Sequence, residues 1–452
     1  MIHAINTRSS RKTKLFALAP LAVALASGSS AFGIVSDNFN TAELFDGIYI
    51  NNFIGATTFY NLGYTGSRAV IANVEGGHAW NGHEALQHVT TFVHAAGQGP
   101  QSGEFDRHAT WVAQAIGGRA VPGGQQWEGE VQRGIAYGAD LWSGALATEW
   151  VNGGGGYVGV FGVNGNSLRY PYVTMLQTGV NGRKADVING SWGVGAPSGA
   201  SYEGVYTDYI ANSTGATLTF SAGNSNAANS VVAPGSAWNN ITVGSLQDDT
   251  DAVPYNRRSF LSSRGPSDYF DPVTETIVPF VRAAVDICAP GQSLDLAYYG
   301  GVSGGNWTGT ANGTPDTYST GLQGTSFASP IVAGGAGLLV DVAYDQFAGN
   351  DKARDGRITK AVLMNSAHKT ANWQNGQAYV SGVLQTTQSV DWNVGAGRMD
   401  LTKAYDQFTA GTTDVSGLGG GTVEAIGWDF GQVAEGAPND YMIADRLVGG
   451  TT

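Results

Sequence analysis

A chain of 452 residues, with a formal net charge of -13, 67 glycines and 13% charged residues, is long enough for a large hydrophobic core and too weakly charged to be a disordered polymer. The acidic balance excludes nucleic acid or an anionic membrane surface as the natural partner, since either needs a basic face. One cysteine, Cys288, excludes an intramolecular disulfide. It lies in the apolar strand pattern 285–289 and reads as a small buried hydrophobe rather than a nucleophile.

Residues 1–31 hold Arg8, Arg11, Lys12 and Lys14, then the apolar run 15–26, then Ser29-Ser30-Ala31. That is the pattern of a secretory signal peptide, with an apolar run too short to span a bilayer comfortably. Without those four cations the net charge becomes -17. The mature chain is expected to be secreted or periplasmic, free of the membrane. Residues 32–62 form a polar and aromatic lead-in.

Residues 69–74 are a near-continuous apolar run, the mark of a buried parallel strand, and they stop at Glu75-Gly76-Gly77. A carboxylate at the carboxyl end of such a strand stands where open α/β sheets keep their chemistry. The histidines at 78, 83 and 88 invite a metal reading. In residues 83–88, however, the second histidine arrives one position too late to share a helix face with the first, so no zinc site is read. His108 follows Phe105-Asp106-Arg107 and opens an apolar-periodic helix, 109–116, stopped by Gly117-Gly118. A histidine there is accessible and titrates near neutrality, while Asp106 reads as a capping or loop residue.

Residues 134–151 and 172–194 read as further strand and helix units around a glycine-rich insertion at 153–166. The strand 185–188 ends in Asn189-Gly190-Ser191-Trp192-Gly193, the strand 216–220 in Ser221-Ala222-Gly223-Asn224, and a third strand spans 240–244. Apolar strands that repeatedly end in small polar turns describe the βα alternation of a parallel sheet with loops along its active edge. Asn224 supplies an amide donor from one such turn. The sequence Gly301-Val302-Ser303-Gly304-Gly305 matches a nucleophile elbow in form, but no helix follows, so Ser303 is set aside.

Residues 321–335 read GLQGTSFASPIVAGG and place Ser326 at the mouth of an apolar helix, 327–341. Gly321 and Gly324 permit the tight turn, and Pro330 is expected in the first helical turn, where proline is tolerated. The unpaired N–H of Ser326 and the positive helix end face any oxyanion formed beside it. An amphipathic helix follows at 358–369, and 394–406 closes the domain. From 409 the composition shifts to Gly and Thr, so 409–452 is a terminal extension or the start of a further β-domain.

Glu75, His108, Asn224 and Ser326, each at an element boundary, form a set for acyl transfer: orienting carboxylate, general base, oxyanion donor and nucleophile. On these residues the chain resembles the subtilisin-like serine proteases. Gly324-Thr325-Ser326-Phe327-Ala328-Ser329-Pro330, with Val332-Ala333-Gly334, matches the serine motif. His108-Ala109-Thr110-Trp111-Val112-Ala113 resembles the histidine motif, with Ala109 in place of glycine. Asp186-Val187-Ile188-Asn189 with Ser191-Trp192-Gly193 resembles the strand and turn at the specificity pocket, Ser221-Ala222-Gly223-Asn224 the oxyanion turn, and Ala289-Pro290-Gly291 a further signature.

The resemblance runs from about residue 63 to 408 and implies an α/β fold of three layers, a mostly parallel central sheet with helices on both faces. It implies a secreted endopeptidase, expected as a monomer, that takes polypeptide substrates and needs no cofactor or catalytic metal. Ser326 would be the nucleophile, His108 the base, Glu75 the orienting acid, and Asn224 with the Ser326 N–H the oxyanion hole. Ser191, Trp192, Gly193, Ser221, Ala222 and Gly223 would line a cleft that binds peptide by strand addition. Structural calcium is frequent in such proteins, but no acid-rich loop here is specific enough to assign it.

Two departures stand out. The family has aspartate where this chain has Glu75; a glutamate that fails to set the histidine tautomer would lower turnover on the order of 10⁴, a magnitude borrowed from a related triad. The alternative is therefore an impaired, subtilase-fold pseudoprotease acting as a peptide-binding or surface module. Asn73 is a polar side chain in a buried strand and requires a partner. The stretch 32–66, about 35 residues long, is short for the folding-assisting prosegment many such proteases carry, so the chain is expected to fold unaided or to belong to a branch without one.

Overall fold

The computed structural model describes residues 50–95, 104–119, 133–152, 159–248, 253–301, 317–412, 421–431, 435–436 and 441–443. The signal-like segment and Ser303 lie outside the described residues.

Seven parallel strands make the central sheet: β1 Val70–Glu75, β2 Thr91–His94, β3 Asp140–Ala145, β4 Val187–Gly190, β5 Thr217–Ser221, β6 Ile241–Leu246 and β7 Ile287–Pro290. Their spatial order is β7-β6-β5-β4-β1-β3-β2. The chain leaves β1 toward one edge to lay down β2 and β3, then crosses to the other side of β1 for β4 and continues outward. The order therefore reverses between β1 and β4, and at such a switch point the loops after the two strands diverge and leave a crevice.

The sheet is covered on both faces because its strands alternate. On β1, Ile71 packs into one core cluster with α1 (Arg107–Gly117) and the 22-residue helix α4 (Thr325–Gln346), whereas Val70, Ala72 and Val74 pack into a second. That second cluster takes Leu168 and Tyr172 from α2 (Gly165–Tyr172) and Ile210 and Ala211 from α3 (Tyr202–Thr214). The expected three-layer α/β architecture is the one observed.

Element ends differ from expectation for local reasons. β4 lies two residues later than the apolar run indicated, because its ladder with β1 pairs Ile71 with Val187 and Asn73 with Asn189. Two more helices, α5 (Gly356–Ser366) and α6 (Leu401–Thr409), start where a carboxylate takes up free N–H groups: Asp355 accepts from Arg357 N, and Asp400 from Lys403 N. α6 therefore begins well after residue 394. The residues before it form a turn around Asp391 and a bridge from Arg398 to Cys288 on β7.

The packed unit reaches back beyond Gly63. Ile50, Ile54, Ala56 and Phe59, on the short helices Ile50–Phe53 and Ala56–Tyr60, belong to the main core. Further on, Trp428 stacks on Phe408 of α6 with ring centroids 5.8 Å apart, and its Nε1 donates to the Phe408 carbonyl at 3.0 Å. Deep in α4, Asp341 accepts from the backbone N–H groups of Thr65, Gly66, Ser67 and Arg68 and from the Arg68 guanidinium, pinning the chain just before β1. α4 is long and apolar enough to cross a membrane by composition, but its apolar stretch, through Ala343, is buried in this core.

Candidate active site

Glu75 is the last residue of β1 and is 1% exposed, held between β3 and the turn that follows β4. Its Oε2 accepts from His108 Nδ1 at 3.0 Å and its Oε1 accepts from Ser191 N at 2.6 Å. The second bond follows from register. The last β1–β4 pair is Asn73 with Asn189, so two residues on Ser191 has left the ladder beside Glu75 and its N–H is free for a side chain. Burial pushes the Glu75 carboxyl up, opposed by the neighbouring imidazole and the Ser191 N–H. Beneath it, burial and the charge of Glu75 push the buried Tyr172 phenol far up.

His108 is the second residue of α1. Asp106 caps that helix, accepting from His108 N and Ala109 N at 3.2 Å each, so it serves the helix end, as its sequence position suggested. Asn73, the polar residue in β1, donates from Nδ2 to the Ala109 carbonyl at 2.9 Å. The strand that carries the acid thus also grips the helix that carries the histidine. Burial lowers the affinity of His108 for a proton, but the charge and hydrogen bond of Glu75 outweigh it, and its pKa lies above the usual histidine value. His108 Nε2 is buried with no hydrogen-bond partner among the described residues.

Ser326 is the second residue of α4, entered through Gly324 at a φ of 153°, a conformation that favours glycine. The imidazole of His108 lies beside Phe327, ring centroids 6.1 Å apart. Ser326 Oγ is turned toward the Ser191 carbonyl at 3.5 Å, a weak contact that a rotation about χ1 would exchange for another. Pro330 corrects the expectation of a first-turn proline. It stands five residues past Thr325, inside the helix, where its missing N–H deprives the Ser326 carbonyl of its helical donor. Ser191 Oγ supplies the replacement at 2.8 Å and is itself held by Asn189 Nδ2 at 3.1 Å.

Asn224 follows the turn after β5. Its Oδ1 accepts from both Thr325 N and Thr325 Oγ1, each at 2.9 Å. With the oxygen so engaged, the Asn224 amide presents Nδ2 to the Gly324–Ser326 turn: a Cβ built on Gly324 would stand 3.4 Å from Nδ2 and 3.7 Å from Ser326 N. Thr325 Oγ1 also accepts from Gly223 N at 3.1 Å, which binds the two turns together. Thr325 is a residue that sequence reasoning passed over. The only signal was its place next to the serine.

Of the other cleft residues, Ser221 ends β5, Ala222 N donates to the Val243 carbonyl, and Gly223 has a φ of 99°. Gly193 packs so closely under Val232 that a Cβ there would meet Val232 Cγ2 at 2.9 Å. Trp192 differs from expectation. Its indole turns into the second core cluster against Phe220, ring centroids 6.0 Å apart, because the apolar face of β5 offers it more buried area than the loop edge. Its side chain is buried in that core.

The neighbouring histidines have structural partners. His83 Nε2 meets the Thr317 carbonyl at 2.8 Å and Glu84 accepts from Tyr318 OH at 2.9 Å. His78, just past Glu75, has Nδ1 3.2 Å from Ser143 Oγ and Nε2 3.1 Å from His94 Nδ1, and burial pulls its pKa down to about 3. Among the described residues no cluster of three or more His, Cys, Asp or Glu is placed to hold a metal.

A family model described as the subtilase family matches residues 58–397. No curated protein matches the chain. Among solved structures it is similar to fervidolysin from Fervidobacterium pennivorans, described as a keratinolytic enzyme related to subtilisin, with a TM-score of 0.54 and 22% identity over 81% of this chain and 47% of that one. It is similar to the prenylagaramide maturation protease, with a TM-score of 0.51 and 17% identity over 78% of this chain and 97% of that one. A protease from Pseudoalteromonas arctica gives a TM-score of 0.50 and 19% identity over 78% and 93%. At such identities the likeness is one of fold.

Proposed function

Since this chain belongs to the subtilase family and is a serine-type endopeptidase, we propose that it cleaves polypeptides through Ser326, His108, Glu75 and Asn224, and that residues 1–31 direct its export. The observation that carries this reading is the 3.0 Å bond between Glu75 Oε2 and His108 Nδ1, which leaves Nε2 of the same ring unpaired beside the serine helix. An acceptor on Nδ1–H fixes the tautomer with its basic nitrogen at Nε2, the state a general base requires.

In the proposed reaction Ser326 Oγ rotates from the Ser191 carbonyl, passes its proton to His108 Nε2 and attacks the peptide carbonyl. Glu75 stabilises the imidazolium that forms. Asn224 Nδ2 and the Ser326 N–H, both at the amino end of α4, receive the oxyanion. His108 then gives the proton to the leaving amine, and water repeats the sequence on the acyl-enzyme. The locked amide of Asn224 favours this reading because its donor needs no reorganisation when charge develops. The turns at 191–193 and 221–223, through their backbone and small side chains, would border an extended peptide in the crevice, and the mature chain is expected to act as a monomer outside the cytoplasm.

The test compares wild type with Ser326→Ala on casein and with a fluorophosphonate probe. Hydrolysis and labelling by wild type alone are expected; equal background with both proteins would overturn the assignment.

A further inference from the structure

We propose that Ser191 is a positioning residue that ties the acid to the nucleophile, and that this linkage fits the site to glutamate rather than aspartate at position 75. The proposal rests on the roles given above to Glu75, His108 and Ser326. Three polar groups of Ser191 engage the two ends of the site. Its N–H donates to Glu75 Oε1 at 2.6 Å, its hydroxyl donates to the Ser326 carbonyl at 2.8 Å, and its carbonyl receives the Ser326 hydroxyl at 3.5 Å.

Each contact answers a need created elsewhere in the chain. The Ser326 carbonyl lacks a helical donor because residue 330 is proline. The Ser191 N–H lacks a ladder partner because β1 and β4 stop pairing at Asn73 and Asn189. Both groups are buried, and a buried backbone group left unpaired is destabilising. Asn189 steadies the hub from behind. Its Nδ2 donates to Ser191 Oγ while its Oδ1 accepts from Thr219 and Ser329, so β4, β5 and α4 share one hydrogen-bonded centre.

The preference for glutamate follows from reach. Glu75 Cα is fixed by pairing with Ala145 and by the bond from Leu146 N to the Glu75 carbonyl. Removing one methylene withdraws the carboxylate by about 1.5 Å. Bonds of 2.6 and 3.0 Å to two fixed donors do not both survive that withdrawal. An aspartate held by the shorter bond, from the backbone N–H of Ser191, would lose the bond to His108.

The experiment uses the full chain with Glu75→Asp, Ser191→Ala and Ser191→Thr, assayed well below each variant's melting temperature. Glu75→Asp is expected to lower kcat about 10- to 100-fold with KM nearly unchanged, the size of a misplaced catalytic group. It is also expected to move the acidic limb of the kcat/KM profile downward, since Glu75 and Asp106 are the charges that face His108. Ser191→Ala is expected to lower kcat and Ser191→Thr to recover most of it. Wild-type kcat in Ser191→Ala, or equal or greater activity in Glu75→Asp, would overturn the proposal. NMR titration of the His108 ring in wild type and Glu75→Asp reads the linkage without any turnover. If Ser326→Ala matches wild type in hydrolysis while the His108 titration still moves, the enzymatic roles fail and the linkage stands; if the titration does not move, the linkage fails.

Discussion

Asn224 is placed by what its oxygen does. Because Oδ1 is engaged twice by Thr325, the donor face of the amide is committed to the mouth of α4 before any substrate arrives. Asn224→Asp keeps the acceptor and removes the donor. It is expected to retain the melting temperature within a few degrees while kcat falls about 10²- to 10³-fold, the loss that subtilisin itself, a relative, bears for its oxyanion asparagine. Steady-state kinetics beside thermal unfolding checks both halves. Side chains such as Ser326, His108 and Asn224 were legible in the sequence because their chemistry is specific to few roles and each stood at an element boundary. The N–H of Ser191 was not legible, since every residue but proline has one and only the register of β1 against β4 shows that this one is free. Trp192 misled for a related reason: a large aromatic beside a turn follows the buried face that the sheet offers it.

Helix α4 shows how an element can be selected against its own propensity. Gly334, Gly335 and Gly337 weaken an isolated helix, yet each lies where a neighbour comes close. A Cβ on Gly334 would meet Ile135 Cβ at 2.5 Å and the Ala136 N at 3.3 Å, atoms that cannot swing aside. On Gly337 the nearest atom is Ile71 Cδ1, the end of a flexible side chain. Gly334→Ala is therefore expected to destabilise the protein by about 1–3 kcal/mol, overpacking outweighing a propensity gain of about 1 kcal/mol. Gly337→Ala should cost less, and urea unfolding of both ranks them. At this scale the sequence revealed which elements exist and in what order, through apolar runs ending in small turns. It placed their ends less well, because pairing with a neighbouring strand or a capping carboxylate decides them, as at β4 and α6.

For the molecule as a whole, the parallel three-layer arrangement could be inferred from the alternation of elements and the family motifs, whereas the contribution of residues 50–62 to the core could not. Those short helices carry only a few apolar residues, and nothing local says that Ile50, Ile54 and Phe59 find the main cluster. Buried histidines give the folded state a dependence on pH. Unfolded, His78 takes up a proton near pH 6.5, and folded it does so only near 3. Between those values the unfolded chain binds more protons, so stability is full above about 6.5 and falls as pH drops toward 3, by about 3–5 kcal/mol in total. Denaturant titrations across that range are expected to show a shallower fall for His78→Gln than for wild type. The grip of Asp341 on residues 65–68 bears on how the molecule comes to exist at all. It joins positions more than 270 apart in sequence, with all seven strands of the sheet between them. Contacts of that separation bear their full loop-closure entropy before they contribute anything, which makes for slow folding of high contact order. A chain emerging from its amino end must hold β1 to β7 in waiting until α4 is complete, and until then the most apolar helix and the sheet face it covers stand open to aggregation.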